Sequence, residues 1–218
     1  MQINFNNFFI GNPHKDGRYY LYDWEHLKEK YVSIVNKEMI VVEIGCTYPQ
    51  KTYDLARHCK MLLGIEIDKS RLVKPEKNIK IINADWQNLG SVLKENSVDI
   101  VVSSHVLEHV PDDLKVLNET YKVLRKGGVL LLITPSRTRL TRSIAKLVFM
   151  ESKFIYPEHL REYSYEELLK LVSRSAFSEY RINKTVLGLH SGKFMCYLKK
   201  SPAILDRFTN FFEAILIK

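Results

Sequence analysis

The sequence predicts a doubly wound α/β domain, a parallel sheet covered by helices on both faces. Two observations support this prediction. Short β-branched runs alternate with helical patterns along the first two thirds of the chain, and the run Met39–Ile44 passes through Gly45 directly into helix-compatible residues. Because a central parallel strand is buried on both faces, its sequence is a continuous apolar run rather than an alternating one. These runs are of that kind.

The predicted elements follow one another in a regular order. Five strands are predicted at Ile40–Ile44, Met61–Ile67, Ile79–Ile82, Ile100–Ser103 and Val129–Thr134. Helices are predicted between them at Lys51–Cys59, Lys69–Val73, Gly90–Lys94 and Asp112–Leu124. Two closing strands, Phe177–Val186 and Lys193–Leu198, complete a seven-stranded, mostly parallel sheet with an antiparallel hairpin at its edge.

The segments around this alternation are predicted to have separate roles. Residues 1–38 form an N-terminal cap with a packing helix, and residues 39–200 form the main domain. Within that domain, the basic and apolar stretch 135–157 is predicted to be an insertion over the carboxyl edge of the sheet. Ser164, followed three residues later by Glu167, is a capping-box signature and predicts a helix start. The tail, 201–218, has apolar residues at helical spacing and is predicted to be an amphipathic helix.

Composition excludes several classes of protein. A chain of 218 residues with 45% hydrophobic and 27% charged residues is typical of a globular domain. No apolar run reaches the roughly 18 residues of a membrane span, and the polar first residues lack a signal-peptide layout, so a cytoplasmic location is expected. Three cysteines without a CxxC spacing argue against a disulfide framework and a zinc site. The net charge of +8 is spread along the chain, which makes nucleic-acid binding an alternative only.

Polar residues accumulate where the predicted strands end. The stretches are Glu43–Gly45, Gly64–Asp68, Asn83–Trp86 and Ser103–Asp112. A carboxylate after the second strand can accept hydrogen bonds from both hydroxyls of a ribose, and one after the third strand can accept from the amine of a base. Because the carboxyl ends of parallel strands share one edge of a sheet, these stretches predict a nucleoside site there.

With these four stretches the chain resembles the class I S-adenosylmethionine-dependent methyltransferases. Leu124–Leu132 is similar to the family's helix end, Lys-Gly-Gly turn and fifth strand, and His159–Ser164 is similar to a segment of its small-molecule and lipid branches. The resemblance covers about residues 31–200. It implies a Rossmann-like fold, S-adenosyl-L-methionine as cofactor, and in-line methyl transfer to a small-molecule, lipid-like or sugar-like acceptor.

The resemblance also implies roles for individual residues. The methionine moiety of the cofactor would lie against Glu43, Gly45 and Cys46, and its other side would be closed by Ser103, Ser104 and His105. The ribose would be held by Glu66, the adenine ring would contact Ile67, and the adenine amine would donate to Asp85. Trp86 would supply a backbone N–H or a ring face, and His105 is the candidate catalytic residue. No metal site is predicted, because the pair His105 and His109 has no third ligand evident nearby.

Two departures from the family pattern leave alternatives open. The family usually has glycine where this chain has Thr47 and Pro49, so a side chain crowds the turn and a backbone donor is lost. These departures motivate a second hypothesis, a catalytically silent domain that binds or regulates a partner. The positive charge motivates a third, methylation of RNA. The tail is a candidate for a peripheral membrane or dimer contact, and both a monomer and a homodimer are compatible with the sequence.

Overall fold

The computed structural model describes residues 8–11, 22–47, 49–147, 157–191, 194–198 and 203–218. Its strands are β1 (Phe8–Gly11), β2 (Ile40–Ile44), β3 (Met61–Glu66), β4 (Ile79–Asn83), β5 (Val98–Ser104), β6 (Leu124–Pro135), β7 (Glu179–Thr185), β8 (Leu187–Ser191), β9 (Phe194–Leu198) and β10 (Phe211–Ile217). Its α-helices are α1 (Tyr22–Ile34), α2 (Pro49–Ala56), α3 (Leu89–Val92), α4 (Asp113–Val123), α5 (Leu140–Leu147) and α6 (Tyr165–Arg174).

The central sheet confirms the predicted fold class. Its seven strands lie in the order β4-β3-β2-β5-β6-β10-β7. The pairs among the first five are parallel, whereas β10 is antiparallel to both β6 and β7. The carboxyl ends of β2, β3, β4 and β5, which carry the predicted polar stretches, therefore meet at one edge.

Helices cover both faces of the sheet, as a doubly wound domain requires. On one face, Leu27 and Tyr31 of α1 and Leu55 of α2 pack on the sheet, and on the other Leu117 of α4 and Leu168 of α6 do so. The predicted capping box is confirmed. The Ser164 side chain accepts from the backbone N–H of Glu167, and the Glu167 side chain accepts from the backbone N–H of Ser164. No helix among the described residues is both long and apolar enough to span a bilayer.

The predicted C-terminal helix is wrong, because the tail forms β10 in the interior of the sheet. Phe211, Phe212, Ala214 and Leu216 are buried there. A strand with neighbours on both sides and helices on both faces shows no alternation, so its apolar run resembles a buried helix. Within the described part of the tail, 203–208 form a 3-10 helix and 211–217 form the strand, so the predicted amphipathic α-helix is absent there. A buried Glu213 within the tail accepts from Lys30 Nζ at 2.7 and 2.6 Å, which ties α1 to the sheet.

The edge of the sheet differs from the prediction in one respect. An antiparallel edge pair is present, but β7 pairs with β10 and not with the predicted strand Lys193–Leu198. The corresponding β9 instead joins β1 and β8 in a separate antiparallel sheet of three strands. Val186, between β7 and β8, has φ +57° and marks the point where the chain leaves the main sheet.

The predicted insertion over the carboxyl edge is described in part. Residues 140–147 form α5, in which Leu147 is 80% exposed, and residues 148–156 lie outside the described ranges. The aromatic residues of the predicted cap before residue 27 lie outside the described side chains. The division into cap, domain and tail remains a prediction.

Two of the three cysteines are expected to resist alkylation in the native protein. Cys46 and Cys59 are buried, and burial raises the pKa of their thiols to about 12 and about 11, with the carboxylates Glu43 and Glu66 adding to the rise at Cys46. The reactive thiolate is therefore scarce and inaccessible. Iodoacetamide at mildly alkaline pH, followed by mass spectrometry, should modify only the half-buried Cys196, and all three cysteines after unfolding in urea. Equal labelling of Cys46 and Cys196 in the native protein would contradict this.

Candidate cofactor and acceptor site

The turn after β2 requires a glycine at position 45. Gly45 has φ +71°, and a Cβ atom there would lie 2.5 Å from Cγ2 of Val106. Its backbone N–H donates to the carbonyl oxygen of Ile65 at 2.9 Å, which anchors the turn to β3. A side chain at position 45 is therefore excluded both by the positive φ and by the side chain of Val106. The glycine brings the backbone of this turn close to the carboxyl edge of the sheet.

The position of Pro49 in the structure explains why a proline is tolerated in this turn. It is the first residue of α2, where its fixed φ suits the helix and its missing N–H would have no acceptor within the helix. Proline in place of the family's usual glycine is therefore favourable for the start of α2. Its cost is limited to the loss of one backbone donor toward a ligand.

Glu43, at the carboxyl end of β2, is paired with a lysine that the sequence analysis missed. Glu43 is fully buried, and Nζ of the equally buried Lys51 lies 3.2 Å from its Oε1. Burial raises the pKa of the Glu43 carboxyl, and the Lys51 charge with the side chains of Thr52 and Lys51 as hydrogen-bond partners opposes that rise. A lysine in a helix ordinarily points to solvent, so its spacing carried no signal for this pair. The Lys51 charge thus balances the negative charge of Glu43 beneath the turn after β2.

Glu66, at the carboxyl end of β3, is already hydrogen-bonded on both oxygens. Oε2 accepts from the Thr47 hydroxyl and Oε1 from the backbone N–H of Asp68, both at 2.9 Å. The side chain amide of Asn83 donates to the carbonyl oxygens of Glu66 and Ile67 at 2.8 and 2.9 Å, which holds this strand end in place. Ile67 itself is 66% exposed beside the carboxylate. An acid next to an open apolar surface is the arrangement that a ribose and a base require.

Asp85 and Trp86 are adjacent in the sequence, but the Asp85 side chain caps a turn and the Trp86 side chain lies in the core. Asp85 caps the short 3-10 turn 86–88, with its oxygens accepting from the backbone and side-chain N–H groups of Gln87 at 2.8 and 3.0 Å. The Trp86 ring is buried in the core, where its Nε1 donates to the Thr120 hydroxyl at 2.8 Å. The predicted ring face for the cofactor is therefore wrong, because the ring packs away from the edge. Only the backbone N–H of Trp86 remains for the predicted role.

The end of β5 brings together the residues predicted to close the site. Ser103 is fully buried, and its hydroxyl has no hydrogen-bond partner among the described residues. Ser104 follows at the edge, and His105 turns the chain with φ +56°. The His105 ring lies edge-to-face on Phe211 at 4.9 Å, and its Nδ1 is 3.4 Å from Oε1 of Glu108. His105 and His109 do not share one face of an α-helix, because only 107–109 form a helical turn and it is 3-10.

A second buried acid, Glu162, gathers charges that sequence reasoning did not connect. Its Oε2 accepts from Arg139 and Arg142 at 2.6 Å each, and its Oε1 lies 3.0 Å from Nδ1 of His159. Burial alone would raise the pKa of Glu162, but these partners lower it to about 2. No local pattern in the sequence indicated that Glu162 is buried. The arginines of the predicted basic insertion thus bind an internal acid.

Comparisons with known proteins agree with this arrangement. Residues 42–132 match the model of a family described as "Methyltransferase domain". A probable S-adenosylmethionine-dependent methyltransferase of Mycolicibacterium smegmatis is 28% identical over 138 residues, 63% of this chain and 51% of that protein. Residues 42–132 thus form a methyltransferase domain, and the predicted resemblance to the class I S-adenosylmethionine-dependent methyltransferases is confirmed.

Two further similarities support this assignment to the methyltransferases. The demethylmenaquinone methyltransferase of Staphylococcus saprophyticus is 25% identical over 190 residues, covering 71% of this chain and 79% of that protein. The crystal structure of a SAM-dependent methyltransferase from Archaeoglobus fulgidus has a TM-score of 0.63 at 15% identity, covering 90% and 94% of the two chains, and shows the shared fold. The chain spans about half the length of the mycobacterial relatives it matches.

The methyltransferase family uses S-adenosyl-L-methionine as its cofactor, and the residues present fit that molecule. The exposed Ile67 beside the Glu66 carboxylate suits an adenosine, and the buried Ser103 hydroxyl, which has no hydrogen-bond partner among the described residues, lies at the same edge. A ribose hydroxyl would either replace the Thr47 hydroxyl on Glu66 Oε2 or share that oxygen with it, because a carboxylate oxygen can accept two hydrogen bonds.

Proposed function

We propose that this domain transfers a methyl group from S-adenosyl-L-methionine to a small-molecule, lipid-like or sugar-like acceptor. The observation that carries the proposal is the buried Glu66 at the carboxyl end of β3, followed by the exposed Ile67 and facing the Gly45 turn. In a parallel sheet this is where a nucleoside with an unphosphorylated ribose is held. A dinucleotide would instead need further glycines for its pyrophosphate, and this turn has one.

The protein's part in the reaction is alignment at this edge. When bound, the cofactor supplies a methyl group on a sulfonium, which leaves as a neutral thioether while the acceptor's nucleophile forms the new bond to carbon. Glu66 and Ile67 would hold the nucleoside, the Gly45–Cys46 backbone would lie against the methionine part, and Ser103 to His105 would close the other side of that part. A hydroxyl acceptor passes its proton to solvent or to His105, our candidate catalytic residue. Positioning and desolvation then supply most of the rate enhancement.

The acceptor class rests on what surrounds this edge. The charges of Arg139 and Arg142 are paired with Glu162, and Arg137 is paired with Glu167 at 2.7 Å, so these arginines offer less to an RNA backbone than their number suggests. The relative named as a demethylmenaquinone methyltransferase acts, by its name, on demethylmenaquinone. These two observations favour a small or lipid-like acceptor over RNA.

Isothermal titration calorimetry with S-adenosylmethionine and S-adenosylhomocysteine tests the proposal. We expect both ligands to bind with one site per chain, since the nucleoside-holding residues contact parts common to the two. A panel of demethylated quinols, hydroxylated lipids and sugars with radiolabelled cofactor then identifies the acceptor. His105→Gln should slow transfer to that acceptor, while His58→Gln, in the exposed turn between α2 and β3, should not. Absence of binding by either ligand at millimolar concentration would refute the proposal.

A silent, partner-binding domain is the second candidate, and one observation favours it. Both acids of the expected cofactor site are occupied by the protein's own groups, Glu43 by Lys51 and Glu66 by Thr47. A site whose acids are internally satisfied gains less from a ligand than an open one. Calorimetry separates the two candidates, because a silent domain leaves both cofactor forms unbound.

A further inference from the structure

Residues from two distant parts of the chain meet below the carboxyl ends of β5 and β6. Glu108 and His109 belong to the 3-10 turn after β5, and His159 comes from the segment that precedes α6. One ligand atom from each of the three lies within 4.8 Å of the other two. The rings of His109 and His159 are edge-to-face, with centroids 4.8 Å apart. The cluster is separate from Glu43 and Glu66 of the cofactor site.

Glu108 is the buried acid at the centre of this cluster. Its side chain is fully buried, and Oε2 accepts from the Thr134 hydroxyl at 3.2 Å. Oε1 accepts no hydrogen bond from the described residues. Its neighbours are ring nitrogens, His105 Nδ1 at 3.4 Å and His159 Nε2 at 3.9 Å. A carboxylate oxygen buried without a donor is costly, and a cation bound between this oxygen and the imidazoles would remove that cost.

The two histidines are oriented as metal ligands usually are. His109 Nδ1 lies 2.9 Å from the carbonyl oxygen of Glu158, and His159 Nδ1 lies 3.0 Å from the Glu162 carboxylate. Carbonyl and carboxylate oxygens only accept hydrogen bonds, so both Nδ1 atoms carry the proton and the lone pair of the neutral ring is on Nε2. His159 turns that Nε2 toward Glu108 Oε1. Carboxylates and carbonyls that orient metal-binding histidines in this way are a regular feature of metal sites.

We propose that Glu108, His109 and His159 bind a first-row divalent transition-metal ion such as Zn²⁺. Two imidazoles and one carboxylate suit zinc and its neighbours, whereas Mg²⁺ and Ca²⁺ prefer oxygen ligands only. Three protein ligands leave a position for water or for an acceptor oxygen, as in catalytic rather than structural sites. The sequence did not reveal this site, because His159, the ligand that completes it, lies fifty residues beyond His109.

Metal titration of the intact chain tests this proposal without the cofactor, so its outcome is independent of methyl transfer. Protein stripped with a chelator is titrated with Co²⁺, whose visible absorption reports the ligand geometry, and with Zn²⁺ in competition with a chromogenic chelator. We expect one ion per chain. Glu108→Gln and His159→Gln should each weaken binding by about 100-fold, and His58→Gln, which removes an exposed histidine, should leave it unchanged.

A second measurement covers variants that fold poorly. Because an ion that binds only the native state raises its melting temperature, Zn²⁺ should stabilise the unsubstituted protein against heat. Glu162→Gln, which keeps all three ligands but replaces the charged acceptor of His159 Nδ1 by a neutral one, should reduce that stabilisation only in part. Saturable binding that survives both Glu108→Gln and His159→Gln, strong thiolate absorption from the cysteines, or no binding at millimolar metal would each overturn the proposal.

Discussion

Replacing Lys51 by methionine should lower the free energy of unfolding by about 3–5 kcal/mol, the usual cost of removing one partner of a buried ion pair. The Lys51 ammonium lies 3.2 Å from Glu43 Oε1, and the side chains are 3% and 0% exposed. Methionine fills a similar volume, so the loss is that of the charge and not of packing. Urea denaturation followed by circular dichroism measures it.

The double variant Glu43→Gln/Lys51→Met is the matched control, since it removes both charges. It should recover at least half of the loss, because no charge is then left buried alone. The pH dependence has a defined sign. Without Lys51, the pKa of Glu43 in the folded state is raised further above its value in the unfolded state. The single variant should therefore be most stable at low pH, where Glu43 is protonated in both states. Its free energy of unfolding should fall as the pH rises from the unfolded-state pKa toward the folded-state pKa. A single variant as stable as the double variant at neutral pH would contradict the ion-pair assignment.

Glu66→Ala should weaken binding of S-adenosylhomocysteine by about 100-fold, because two hydrogen bonds to a charged acceptor contribute about 3 kcal/mol together. Glu66 is the buried acid beside the exposed Ile67. Calorimetry measures the dissociation constant. Glu76→Ala, which removes an exposed acid of the same charge, is the matched control and should leave affinity unchanged.

Thr47→Gly should have the opposite effect on the same ligand. It removes the hydroxyl that occupies Glu66 Oε2 at 2.9 Å and restores the residue that the family usually has there. Affinity should rise by about 5-fold, the equivalent of one hydrogen bond of about 1 kcal/mol. If Thr47→Gly binds while the unsubstituted protein does not, the turn itself has silenced the domain. If Thr47→Gly lowers affinity, Thr47 contacts the ligand instead.

The carboxyl edge of the sheet was predictable because its features are local. A continuous apolar run ending in an acid and a glycine identifies a buried strand and its turn, and Gly45 indeed has a positive φ with no room for a side chain. Glu66 was likewise recognisable from its position at a strand end. Ser164 and Glu167 announced α6 within four residues. Each of these depends on interactions between residues that are close in sequence.

The tail and the tryptophan show where local patterns are ambiguous. The apolar residues of Phe211–Ile217 are buried on both faces of the sheet, so their sequence has no period that distinguishes a strand from a helix. Trp86 follows a strand and was predicted to contact the ligand, but its ring is buried in the core, where Nε1 donates a hydrogen bond to Thr120 on α4. In both cases the deciding partner lies far along the chain.

The amino-acid sequence by itself determined the α/β class, the edge at which we propose that the cofactor binds and the two acids at that edge, since strand periodicity and turn chemistry act over a few residues. Only the tertiary structure decided what those acids touch. It buried Lys51 against Glu43 and set Thr47 on Glu66. It also brought His159 beside Glu108 and His109. Such contacts depend on which surfaces pack together, and side chains that are distant in sequence become neighbours only after the sheet has formed.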